Sequence, residues 1–173
     1  MKRILISILI LFFALIVTPK GIKNSKHNLS SQGRGSIKSS DARMVCVFCH
    51  TTHSPSGKQK GPLWNRETGG VIYTLYESSS LYSLVGQPDG SSKLCLSCHD
   101  GTISLGHVLN RSKEFSISNS DLGKIPRNRP SNLSSDISDD HPVSFNSDAA
   151  VSTSPDLKHP DPGDPVDYDK SGK

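Results

Sequence analysis

The chain has 173 residues, a formal net charge of +4 and only 33% hydrophobic residues, so it is long enough for one domain but poor in material for an apolar core. Its Lys and Arg are spread rather than clustered, which gives no sign of nucleic-acid binding. Beyond the apolar N-terminus the sequence is rich in Ser, Gly, Pro and Asp. Such a polypeptide buries too little surface to offset its own chain entropy, unless something other than side chains supplies the core.

In chain order, Lys2 and Arg3 precede an almost unbroken apolar run from Ile4 to Val17. The run is short of the roughly 20 residues that a bilayer crossing needs but suits the h-region of a secretory signal. Thr18-Pro19-Lys20 closes it without an A-x-A site, so a cleaved signal and an uncleaved anchor both stay open. The expectation is Sec-dependent export to the periplasm or beyond, with membrane contact only through an uncleaved anchor. No Cys precedes Cys46, which excludes a lipid-modified N-terminal cysteine. The chain is then expected to divide into residues 1–20, a domain over 21–150 and a Pro/Asp-rich, poorly ordered tail over 151–173.

All four cysteines fall in two identical arrangements, Cys46-Val47-Phe48-Cys49-His50 and Cys95-Leu96-Ser97-Cys98-His99. This spacing is the attachment pattern of haem c. Two thiols three positions apart on one turn can add to the two vinyl groups of one porphyrin, and the following His lies beneath the ring as proximal iron ligand. Three other readings compete. A four-cysteine zinc site expects about 15–20 residues between its pairs, well short of the interval from Cys49 to Cys95, and leaves a His after both pairs unexplained. A thioredoxin-like pair wants a strand–helix setting. Structural disulfides suit an exported chain but leave the repeated His to chance. Covalent haem uses all four thiols and both histidines, and two macrocycles would supply the missing core. Short helical turns are expected at the two motifs, with a longer helix near residues 70–85 and loops elsewhere. Trp64, Tyr73, Tyr76 and Leu84 are candidates to pack on a porphyrin face, or simply on the protein's own core.

Axial ligation governs potential and role. Met1 belongs to the export segment and Met44 lies two residues before Cys46, so Met/His ligation of both irons is not expected. Besides His50 and His99 there are His27, His53, His107, His141 and His159. His53 stands too close to His50 to turn back on the same iron, but could serve a neighbouring one. His141 follows Asp139 and Asp140, which could orient its ring. His107 is a ligand or a propionate partner, and His159 sits in the Pro/Asp-rich tail, where solvent exposure is expected. His27, His53 and His141 are the candidate distal ligands. Residues 110–135 hold Arg111, Lys113, Lys124, Arg127 and Arg129 among Ser and Asn. They read as a solvated loop or, functionally, as neutralisation of propionates or docking to an acidic redox partner.

The string His27-Asn28-Leu29-Ser30, Val45 to His53, Gly61-Pro62-Leu63-Trp64-Asn65-Arg66, Leu94 to Thr102 and Asp140-His141-Pro142-Val143-Ser144-Phe145 resembles the multihaem cytochrome c proteins with a doubled Cys-x-x-Cys-His domain. The resemblance spans residues 27–145. It implies a fold of mostly irregular loops with a few short α-helices wrapped around covalent haems, and little β structure. It also implies closely stacked bis-His haems that form an electron conduit in the periplasm or outside the cell. Histidines of the His-Asn-Leu-Ser and Cys-His-x-x-His types commonly act there as distal ligands, sometimes to a haem of another motif or subunit. Such a pattern strengthens His27, His53 and His141 as distal ligands. One departure is Thr51-Thr52-His53, where the family usually shows Thr-Pro-His.

The expected function is therefore electron transfer through two low-potential haems, without catalysis, towards other multihaem cytochromes or redox proteins, with self-association open. The competing function is a haem enzyme, a peroxidase or oxyanion reductase subunit, with one open iron. A haem-based sensor would carry an output domain that is missing here. At the C-terminus, Asp169-Lys170-Ser171-Gly172-Lys173 leaves two expectations, a frayed tail or a chain that stops before a further haem motif, since in the related cytochromes a similar Gly-Lys leads into one.

Overall fold

The computed structural model describes residues 21–53, 63–81, 83–145, 150, 152 and 153. The apolar N-terminal run, His159 and nearly all of the tail lie outside these residues. Regular structure is sparse among the described residues, as the frequent Ser, Gly and Pro dictate. A 3-10 turn over Ile22–Asn24 leads to strand β1 (Lys38–Ser39), and a second 3-10 turn covers Cys46–Phe48. Helix α1 (Gly90–His99) follows, and then strand β2 (Ile117–Ser118), which pairs antiparallel with β1 through Lys38 opposite Ser118 and Ser39 opposite Ile117. No helix among the described residues is long and apolar enough to cross a membrane.

Both Cys-x-x-Cys-His segments are helical turns, as expected. Among the described residues the longer helix expected near residues 70–85 is absent: residues 71–75 form an extended strap, and a turn follows in which Leu81 N donates to Ser78 O at 3.1 Å. The reason is legible in its burial pattern. Tyr73 is buried, Val71 and Leu75 pack beside it, and Ile72 is 78% exposed. Side chains that alternate inward and outward mark an extended chain, and Val, Ile, Tyr and Thr favour that state. The strap borrows partners from other segments. Tyr73 N donates to Gln87 Oε1 at 2.8 Å, Gln87 Nε2 donates to Tyr73 O at 2.9 Å, and Ile137 N donates to Thr74 O at 3.0 Å.

Two small apolar clusters divide the interior, one at each motif. Phe48 packs with Ala42, Val108 and Phe115, its ring 5.1 Å from that of Phe115. Leu96 of α1 packs with Tyr73 and Ile137. What joins the clusters is polar. Asn65 and Arg66 are both fully buried, and they bind the two motif segments into one body.

Candidate functional site

The first motif begins as the 3-10 turn. Cys49 N and His50 N both donate to Cys46 O, at 3.1 and 2.8 Å, which places the two cysteines on one side of the turn. Asn65 fixes this turn to the rest of the molecule. Its backbone N donates to Cys49 O at 2.9 Å and its Nδ2 to Val47 O at 2.6 Å. The ring of His50 meets that of Trp64 edge-on, at 6.0 Å between centroids and 88° between planes.

The second motif forms the last turns of α1. Cys95 and Cys98 are three apart and His99 is the final helical residue, so all three fall on neighbouring rows of one helix face. Asp100 N closes the helix on Leu96 O, and Gly101, at φ +67°, turns the chain away. Asp100 itself is buried. It accepts hydrogen bonds from Tyr73 Oη at 2.8 Å and from Thr102 N and Oγ1 at 2.9 and 2.8 Å. Burial, with the hydrogen bond to Asp100, pushes the Tyr73 hydroxyl well above its ordinary pKa.

The two motifs meet in one apolar cavity of about 310 Å³, bordered by Cys49 from the first and by Cys98 and His99 from the second. Leu29, Ile37, Phe48, Leu105 and Ile125 supply its apolar wall, and Lys26 and Arg129 also line it. No disulfide joins the four cysteines; Cys46 and Cys95 are exposed, while Cys49 and Cys98 are partly covered. Burial pushes the Cys49 and Cys98 thiols above their ordinary pKa, against the downward pull of the nearby Arg66 cation.

His27 reaches this cavity from the other end of the chain. The buried Asn28 beside it anchors the segment, with Nδ2 donating to Lys23 O at 2.8 Å and Oδ1 accepting from Ser30 N and Oγ at 3.1 and 2.6 Å. The His27 and His99 rings stand 6.1 Å apart between centroids, with planes at 75°. His99 Nδ1 lies 2.7 Å from the carbonyl oxygen of Ser131. A carbonyl can only accept, so Nδ1 carries the proton and the Nε2 lone pair is available to a metal. Two imidazoles bound to opposite sides of one metal, each nitrogen about 2.0 Å from it, place their centroids about 6.3 Å apart. The centroid separation of the observed pair matches that value.

The other candidates lie elsewhere. His53 is exposed, and its carbonyl accepts from Thr51 Oγ1 at 3.0 Å. His141 is exposed in a separate groove with Tyr76, Leu81, Asp139 and Asp140. Among the described residues neither aspartate is hydrogen-bonded to its ring. His107 sits between two carboxylates, with Nδ1 3.3 Å from Glu114 Oε1 and Nε2 3.8 Å from Glu67 Oε1. Leu84 is 96% exposed and stands clear of the core among the described residues.

Arg66 was not singled out by sequence reasoning. Its Nη1 donates to Leu105 O and His107 O, both at 3.0 Å, and its Nη2 donates to Ser97 O at 2.9 Å and Ser104 O at 3.0 Å. Arg66 Nε and Trp64 Nε1 are buried without a hydrogen-bond partner. In the sequence Arg66 closes the string Gly61-Pro62-Leu63-Trp64-Asn65-Arg66, but nothing there marks it as buried. Ser131, whose backbone orients His99, leaves no side-chain signature either. No protein-family model and no curated protein matches this chain.

Proposed function

We propose that the chain is an exported dihaem c-type cytochrome that passes electrons and transforms no substrate. The observation that carries this reading is the His27–His99 pair, at a separation suited to one six-coordinate iron, beside a cavity bordered by Cys98. Cys46, Cys49 and His50 would hold the first haem; Cys95, Cys98 and His99 would hold the second, with His27 as its distal ligand. His53 and His141 remain the candidates opposite His50. When bound, each haem supplies a one-electron iron couple whose potential its axial ligands set.

The chain's own residues do the rest. The Ser131 carbonyl fixes the tautomer of His99 and sharpens its donor strength. Leu29, Ile37, Phe48, Leu105 and Ile125 exclude water, which keeps the local dielectric low. Trp64 Nε1, a buried donor close to His50, is suited to a carboxylate of a bound group. Lys26 and Arg129 are suited to propionates. Because Cys49 and Cys98 border one cavity, the two attachment sites adjoin, which favours transfer between them.

The competing reading is a haem enzyme with one open iron. Optical and electron paramagnetic resonance spectra of the purified protein separate the two. Low-spin signals from both haems in both oxidation states support the conduit, and a high-spin ferric component accounting for one haem supports the enzyme.

A further inference from the structure

We infer that Arg66 is a buried fixed cation, shared by the two attachment segments, that raises the reduction potentials of both haems together; this rests on the electron-transfer reading and adds a residue that tunes it.

Among the described residues two charged side chains are buried, Arg66 and Asp100. They serve the motifs differently. Asp100 follows His99 at the end of α1 and is engaged by Tyr73 and Thr102. Arg66 stands between the motifs. Its Nη2 donates at 2.9 Å to the carbonyl of Ser97, the residue before Cys98. The neighbouring Asn65 N donates at 2.9 Å to the carbonyl of Cys49. The second cysteine of each motif is thereby held near the guanidinium, and both thiols feel its charge.

What surrounds the guanidinium decides how far its charge reaches. Its acceptors are backbone carbonyls, those of Ser97, Ser104, Leu105 and His107. Among the described residues Arg66 forms no ion pair; those found belong to His107. Carbonyl dipoles satisfy its hydrogens but leave the unit charge in place, and a dipole's field falls off faster with distance than a charge's. A guanidinium is permanently charged. Because Arg66 is fully buried, its charge also escapes the salt screening that weakens exposed cations such as Lys26 and Arg129. Reducing an iron removes one positive charge from it, so a fixed cation nearby favours the ferrous state. At an effective dielectric of about 20, a unit charge roughly 10–15 Å away shifts such an equilibrium by about tenfold. That is ~59 mV for a one-electron couple.

The test is a mediated spectroelectrochemical titration of the haem-loaded protein at about 1 M salt, where the Debye length is about 3 Å. Arg66→Gln keeps a hydrogen-bond donor without the charge, and should shift both reduction equilibria towards the ferric state by about tenfold. Arg66→Lys restores the charge with fewer donors, and both potentials should return close to those of the parent. A role confined to hydrogen bonding leaves the Gln and Lys variants alike. Ser104→Asp approaches the same point with Arg66 in place. Ser104 O accepts from Arg66 Nη2 and its Oγ accepts from Gly106 N at 3.2 Å, a bond that an Asp carboxylate can take over while setting a negative charge beside the guanidinium. It too should lower both potentials. Arg34→Gln, which removes an exposed cation, should leave both unchanged. Equal potentials in Arg66→Gln and Arg66→Lys overturn the inference, as does a shift confined to one haem. If Arg66→Gln does not load haem, Ser104→Asp decides, and unchanged potentials there overturn it. A parent protein with no reducible haem band defeats the reading of function itself.

Discussion

Arg66 Nη2 donates to the carbonyl oxygen of Ser97 at 2.9 Å, linking a residue that follows the first Cys-x-x-Cys-His segment to the helix that carries the second. Three further carbonyls share the same guanidinium, and Arg66 is fully buried. Removing the guanidinium would strand four acceptors, of which the Ser97 and Leu105 bonds are buried and the Ser104 and His107 bonds part-buried; each buried one costs about 1–3 kcal/mol when unsatisfied, with partial relaxation. Arg66→Met is therefore expected to lower stability by about 3 kcal/mol or more. Urea unfolding monitored by far-UV circular dichroism checks this. A midpoint close to that of the parent would show that the hub is dispensable.

His27 and His107 should separate cleanly. His27→Ala is expected to convert one of two haems to a high-spin or shifted form and leave the other alone, because the His27 ring meets that of His99, whereas the His50 ring meets that of Trp64. His107→Ala should leave both spectra unchanged, since Glu67 and Glu114 already engage its ring at the surface. Electron paramagnetic resonance of the ferric variants reads both outcomes. An unchanged His27→Ala spectrum would return His53 and His141 to the second iron.

Tyr73 gives the alkaline limb of stability. Its pKa in the fold is raised by burial and by the bond to Asp100. A group raised in this way contributes fully below its unfolded pKa, near 10 for Tyr, and loses that contribution as pH climbs towards the folded value. Stability is therefore expected to decline above about pH 10. Tyr73→Phe should flatten that decline while costing about 1–2 kcal/mol at neutral pH through the lost hydrogen bond. Thermal melts across the alkaline range check the slope, and a parallel decline in the Phe variant would point to another group.

Gly33 is buried where the chain folds back on the His27 segment. A Cβ there would strike the backbone oxygen of Asn28, the residue next to His27. Gly33→Ala is expected to displace that loop, lowering stability by about 1–3 kcal/mol. The same variant should perturb the spectrum of one haem. An unperturbed spectrum would show that the Asn28 anchor does not set the position of His27.

How much of this was legible in the sequence follows from distance along the chain. The two Cys-x-x-Cys-His segments announce themselves because their chemistry needs neighbouring residues, and both fold as helical turns. His27 is one of three comparable candidates; the His27-Asn28-Leu29-Ser30 string marks its segment, but its meeting with His99 depends on the hydrogen bonds of Asn28 and on the β1–β2 pairing, which the string does not reveal. The stretch 70–85 is ambiguous in the sequence, because a short apolar run suits either period. The inward alternation of Val71, Tyr73 and Leu75 was the better guide. Arg66 escaped notice because burial of a cation depends on carbonyls gathered from residues 97–107, which no local pattern reveals.

The most direct test of the whole account is the haem content of the purified protein, measured on one sample by intact-protein mass and by the alkaline pyridine spectrum. Two haems per chain are expected, both retained through acid-acetone extraction, and Cys98→Ser should lose or weaken attachment only at the second site. A mass without haem, or haem that extracts into acid acetone, would contradict the account.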